Sequence, residues 1–208
     1  MNCNFSDDIF INQNEYNNGM KPIILASSSP RRKRLLTEAG FTFTVDPSDF
    51  DESKVKIRNP HEMVKQLSRK KAQEVAKRHP NSIIIGADTT VFCDGQILEK
   101  PKDEEDAKRM LKFLSGKTHS VITGITIITT EKNQEITEVE ESKVTLKKLT
   151  EQEIDKYVQT GEAMDKAGAY GIQEGLSQYF TEKTEGDYTN IVGLPIQKVT
   201  ALLREVQN

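Results

Sequence analysis

"ILASSSPRRKRLL", residues 24–36, decides how the chain folds. An apolar run, read as a buried strand over 22–27, stops at three serines. Ser29 then has the character of an N-cap and Pro30 of a first helical residue. The helix so opened runs to about Ala39 and stops at Gly40. A strand that passes through a capped turn into a helix is one step of an α/β fold. The same stretch raises a chemical question. Arg31, Arg32, Lys33 and Arg34 crowd the helix end that already carries partial positive charge. At 100° per residue, Leu35, Leu36 and Ala39 define one apolar face, with Arg32 near its middle and Arg31 at its edge. Guanidinium forks beside free backbone N–H groups make a place for phosphate. A solvated basic turn is the plain alternative.

Outward from this unit, helix and strand signals alternate. A short strand follows near 41–45, then a charged loop, 46–59, containing "DFDES". Asn59 or Pro60 opens a helix to about His79, ended by Pro80. "SIIIGADTTVF", 82–92, reads as a buried strand, and Asp94-Gly95 as a hairpin turn. Residues 103–114 form a helix closed by Gly116. The Thr/Val/Ile-rich segments 118–130 and 136–148 flank "EKNQE" as a long antiparallel hairpin. Thr150 caps a helix over 151–160. A glycine-rich stretch, "DKAGAYGIQEG", leads to a strand near 176–183. A turn at "EGD", a short strand and a helix from Pro195 to about Val206 complete the chain. This order predicts an α/β fold: a mixed sheet with flanking helices, in two lobes around a cleft. Residues 1–19, rich in Asn, read as a flexible extension before a domain over 20–208.

The 208 residues suffice for a core without staples. A net charge of −3 argues against a general nucleic-acid binder. Cys3 and Cys93 form no CxxC pair, and His61, His79 and His119 show no zinc spacing. No apolar stretch is long enough to span a bilayer, and no signal peptide is visible.

Further candidate residues gather around the strand 82–92. Lys71 lies near the middle of a helix face made by Met63, Val64, Leu67 and Val75, while Arg69 and Lys70 point away. It either snorkels or meets an anion. Asp88 leaves a buried strand where it reaches its C-terminal end, a costly place for an unpaired carboxylate and a common place for a ligand. Gly86 and Ala87 leave room for something to approach. Glu52 lies in the acidic loop and matters only if that loop folds over the same cleft. Lys100 in "LEKP" follows the hairpin after Asp88. Gln173 offers a donor and an acceptor, for a base edge or for loop backbone. Clustered cations and a carboxylate suit a polyphosphate with a divalent metal. The chain has no GxxxxGK[ST], no GxGxxG after its first strand and no GxSxG.

These stretches together resemble the Maf family of nucleoside triphosphate pyrophosphatases. "LASSSPRRKRLL", "RKKA", "IIGADTTV", "LEKPKD", "LSGKTHSVITG", "DKAGAYGIQ" and "VGLPI" occur in the family's order over about residues 22–206. The resemblance implies a fold like that of inosine-triphosphate pyrophosphatases, and a cytoplasmic homodimer without nucleic-acid or membrane partners. It implies hydrolysis of a nucleoside triphosphate to the monophosphate and pyrophosphate, with Mg²⁺ or Mn²⁺. By the same resemblance Asp88 is the proton acceptor, the phosphate-binding cations map onto Arg31 or Arg32, Lys71 and Lys100, and Glu52 matches the acidic residue after the second strand. In the mechanism read from these residues all four cations bind phosphate and Glu52 and Asp88 are the candidate metal ligands, with Asp88 either ligand or base. Arg31, Thr89 and Gln173 match positions tied to base preference. "GADT" with "AYGIQ" resembles the subfamily acting on dTTP and UTP. The alternatives are the subfamily acting on 7-methyl-GTP, a nucleotide-binding regulator of cell division, and a glycosyl- or nucleotidyl-transferase.

Overall fold

A computed structural model describes residues 21–173 and 175–207. The expected extension over 1–19 lies outside the described residues. The fold is α/β, a mixed sheet of seven strands among the described residues with helices against it. The strands are β1 (Ile23–Leu25), β2 (Phe43–Val45), β3 (Ile83–Cys93), β4 (Gln96–Leu98), β5 (Thr118–Thr129), β6 (Gln134–Leu146) and β7 (Thr181–Glu185). Their order is β2-β1-β3-β5-β6-β7, with β4 also paired to β3. The helices are α1 (Pro30–Glu38), α2 (Pro60–Ala76), α3 (Glu104–Leu114), α4 (Glu151–Val158), α5 (Tyr188–Val192) and α6 (Ile196–Gln207).

Local chemistry explains the boundaries. The Ser29 side chain accepts from the Arg32 N–H, with Pro30 opening α1. Asn59 caps α2 on the N–H groups of His61 and Glu62. Thr150 and Glu153 form a reciprocal capping box on α4. Two expectations near the C-terminus need correction. The segment expected as a strand over 176–183 begins as a 3₁₀ turn, Gly175–Tyr179, and only then becomes β7. The short strand expected after "EGD" is α5, because the Asp187 carboxylate caps the Thr189 and Asn190 N–H groups and starts a helix.

The sheet is divided along β3. β1 pairs in parallel with Ile83–Ile85, and β4 pairs antiparallel with Val91–Cys93. Residues 86–90 therefore keep full pairing to β5 on one side and, among the described residues, lack a strand partner on the other. Two apolar cores flank this interruption. One joins β1 and α1 to Ile83, Ile85, Ala87 and α6, and the other joins Val91, Leu98, α3 and α4 to Tyr170 and Phe180. A cavity of about 700 Å³ opens between them.

On the opposite face, α2 lies unusually close to the sheet. A Cβ on Gly86 would stand 2.4 Å from the Ser68 carbonyl oxygen, and one on Gly124 would stand 2.2 Å from that of Val64. The room left at Gly86 is thus filled by helix backbone, not by a ligand. Gly124 is also the cross-strand partner of Asp88.

Candidate active site

Asp88 sits at the interruption. It is an interior residue of β3, not the end of the strand as its sequence context suggests, and its exposure to the cavity comes from the missing neighbour strand. Its side chain is 10% exposed. The close approach of α2 brings Lys71 to it, with Nζ donating to Asp88 Oδ1 at 2.6 Å. Lys71 Nζ also lies 2.8 Å from Glu52 Oε1. Glu52 comes from a 3₁₀ turn, Glu52–Lys54, whose N-cap is Asp51. The acidic loop does fold over the cleft. Arg69 and Lys70 point outward, as the helical period requires.

Burial pushes the Asp88 carboxyl up. Lys71, by charge and hydrogen bond, and then Arg32 pull it down, but the net position is above the ordinary carboxylate range.

Arg32 answers half of the question about the basic helix turn. Its guanidinium meets carbonyls and hydroxyls. Nε donates to the Gly193 carbonyl at 2.9 Å, Nη1 to the Ala87 carbonyl at 2.9 Å and to Ser27 Oγ at 3.1 Å, and Nη2 to Thr89 Oγ1 at 3.1 Å. The Ala87 carbonyl belongs to the unpaired stretch of β3, so Arg32 takes a bond that a neighbouring strand would otherwise make. Burial lowers its pKa, and the Asp88 charge opposes that shift. Thr89 Oγ1 also contacts Thr123 Oγ1 at 2.9 Å and donates to the Gly193 carbonyl at 3.3 Å.

Arg31 supplies the other half, because it meets an acid. Its Nη1 bonds Asp165 Oδ2 at 2.6 Å, and its Nη2 bonds the Asp165 carbonyl at 3.0 Å. Gln173 Oε1 accepts from Arg34 Nη2. Lys100 is exposed and lines the same cavity, together with Arg31, Arg32, Glu52, Lys71, Asp88, Thr89 and Gln173. Every candidate residue thus borders one space.

Sequence reasoning missed Asp165, Lys166 and Gly193. Nothing local marks Asp165 as a partner of Arg31, 134 positions away. The glycines of "DKAGAYGIQ" were the available signal. Gly168 (φ 69°) and Ala169 (φ 63°) are consecutive left-handed residues, and they turn the chain so that 165–173 lines the cavity.

The donor set fits a divalent metal only in part. Asp88 and Glu52 approach the same ammonium group, so two carboxylates converge. Among the described residues no group of three or more His, Cys, Asp or Glu could hold a metal. Two carboxylates, completed by substrate oxygens and water, match how Mg²⁺ is usually bound.

A family model described as Maf-like protein matches residues 22–206. The chain belongs to the Maf family. Among the family's curated members, a dTTP/UTP pyrophosphatase of Koribacter versatilis is 48% identical over 189 residues, 91% of this chain and 96% of that protein. A dTTP/UTP pyrophosphatase of Dictyoglomus turgidum is 49% identical over 184 residues, 88% of this chain and 95% of that protein. One from Bacillus pumilus is 46% identical over 184 residues, 88% of this chain and 96% of that protein. Among the described residues, no helix is long and apolar enough to cross a membrane.

Proposed function

We propose that the protein hydrolyses nucleoside triphosphates, dTTP and UTP first among them, to the monophosphate and pyrophosphate. The observation that carries this reading is the Lys71 ammonium held between Asp88 and Glu52 on a cavity that Arg31, Arg32 and Lys100 also line. The names of the Maf relatives support the choice of nucleotide.

In this reading a triphosphate lies along the cations. Asp88 takes the proton of a water that attacks the α-phosphorus. A P–O bond forms to that water, and the bond from the α-phosphorus to the bridging oxygen breaks. Pyrophosphate leaves with the electron pair, and Lys71, Lys100 and Arg31 offset its charge. A raised carboxyl is the better base, since a basicity nearer the working pH favours proton transfer. Glu52, with substrate oxygens and water, would hold Mg²⁺ or Mn²⁺ and leave the Asp88 carboxylate to act as the base; the metal when bound supplies further neutralisation of the phosphate charge. Arg32, held at four acceptors, is preorganised and loses little freedom on binding. Arg31, Thr89 and Gln173 set base preference: Gln173 through its amide, and Thr89 through its bond to Arg32. The resemblance to the family supports a homodimer in the cytoplasm.

The test is a panel of dTTP, UTP, GTP and 7-methyl-GTP with Mg²⁺, in which pyrophosphate and phosphate release are both followed. Pyrophosphate without phosphate, fastest from dTTP and UTP, is the expected result. Phosphate release, or a preference for 7-methyl-GTP, overturns the proposal. Binding of dTTP without turnover would favour a nucleotide-binding regulator.

A further inference from the structure

We propose that Asp165 is a positioning residue, one that sets the direction of Arg31 across the cleft and is itself pinned by Lys166. The inference rests on Arg31 being a nucleotide contact, as above.

The arrangement is a chain of three groups. Lys166 Nζ donates to Asp165 Oδ1 at 2.7 Å, and the other carboxylate oxygen accepts from Arg31 Nη1 at 2.6 Å. The Asp165 carbonyl accepts from Arg31 Nη2 at 3.0 Å. Two points of attachment from one residue fix the plane of a guanidinium, which one would leave free to turn. Lys166 is built for its place. Its side chain is 8% exposed, against 55% for Asp165. Its ammonium also donates to the Glu162 carbonyl. A Cβ on Gly171 would stand 3.1 Å from Lys166 Cε, so the glycine leaves space for the lysine stem. Burying an ammonium is costly, and here the cost is met by a carbonyl and a carboxylate.

The contact joins the two walls of the cavity. Arg31 stands on α1, in one core, while Asp165 and Lys166 stand in the segment that follows α4, beside the other. Arg34 and Gln173 make a second link between the same two elements. Burial pushes the Asp165 carboxyl up, but Lys166 and Arg31 more than offset this and hold it below the ordinary carboxylate range. Two cations share one anion, so the trio keeps a net positive charge for a phosphate.

Full-length wild type, Asp165→Asn, Arg31→Gln and the double variant are compared on dTTP with Mg²⁺, each with a thermal melt. Asp165→Asn should raise KM on the order of tenfold, with kcat changed less. Added to Arg31→Gln, it should change KM by less than about twofold, because the residue it steers is already gone. Lys166→Met should reproduce the KM rise, and Lys166→Arg should recover most of it. An unchanged or lower KM in Asp165→Asn overturns the inference. So do additive effects in the double variant, or no recovery in Lys166→Arg. A wild type that releases no pyrophosphate overturns the proposed function itself, whereas an active wild type with additive variants overturns this inference alone.

Discussion

Two aspartates border the cavity, and each touches cations. Asp88 is on a strand, 10% exposed, and sits above the ordinary carboxylate range. Asp165 is on a loop, 55% exposed, and sits below it. Lysine contact at 2.6–2.7 Å is common to both. Burial separates them. At Asp88 desolvation outweighs the neighbouring charges, and at Asp165 the charges outweigh desolvation. The strand wall therefore holds a carboxylate suited to accepting a proton. The loop wall holds one suited to staying ionised as an anchor.

The largest effect should come from breaking the strand side. Asp88→Asn keeps the shape and removes the proposed base, so kcat should fall by at least about a hundredfold. Pyrophosphate release under saturating dTTP measures this, and a kcat near wild type would remove the distinction between the two acids. The next effect concerns packing. Gly124→Ala sets a methyl against helix backbone that cannot step aside, and should cost about 2–3 kcal/mol in denaturant unfolding. A neutral outcome would mean that α2 is not locked onto the sheet.

A pH series sharpens the comparison further. With Asp88 raised, kcat/KM should fall with acid, and its acid limb should lie above about pH 4, where an ordinary aspartate titrates. A limb at or below that value contradicts the burial argument.

A buried titrating group on the sheet touches the loop wall through Tyr170. His119 on β5 contacts the Tyr170 hydroxyl at 2.5 Å through Nε2, and burial lowers its pKa to about 4. The native state thus resists its protonation. Its contribution to stability is complete above about 6.5 and is lost as pH falls through about 4, on the order of 3 kcal/mol at full loss. His119→Gln should flatten that stretch of the stability profile in urea titrations at several pH values. The same slope in wild type and variant would place the effect elsewhere.

Much of this was legible in residues alone, for reasons that are local. Ser29-Pro30, Asn59-Pro60 and Thr150 with Glu153 carry their helix starts in side-chain chemistry. Lys71 was visible as a cation on an apolar helix face. The charge it meets could only be guessed, because the register that places Asp88 beside it is set by Gly86 and Gly124, whose role is to lack a side chain. Asp187 carried an N-cap signal for α5 that the surrounding Thr and Ile residues obscured. The Arg31–Asp165 contact had no local signal. It joins elements far apart in sequence, and only the assembled sheet brings them together.

Because α2 and β3 are locked backbone to backbone, Lys71 and Asp88 belong to a single rigid block. Mutation can rarely alter their spacing without unfolding the protein. The turns of the 165–173 segment are hemmed in by side chains instead of backbone: a Cβ on Gly168 would meet Val91, and one on Gly171 would meet Lys166. With Gln173 of that segment as the proposed base contact, a lineage built on this scaffold would change the nucleobase it accepts more readily than the bond it cuts.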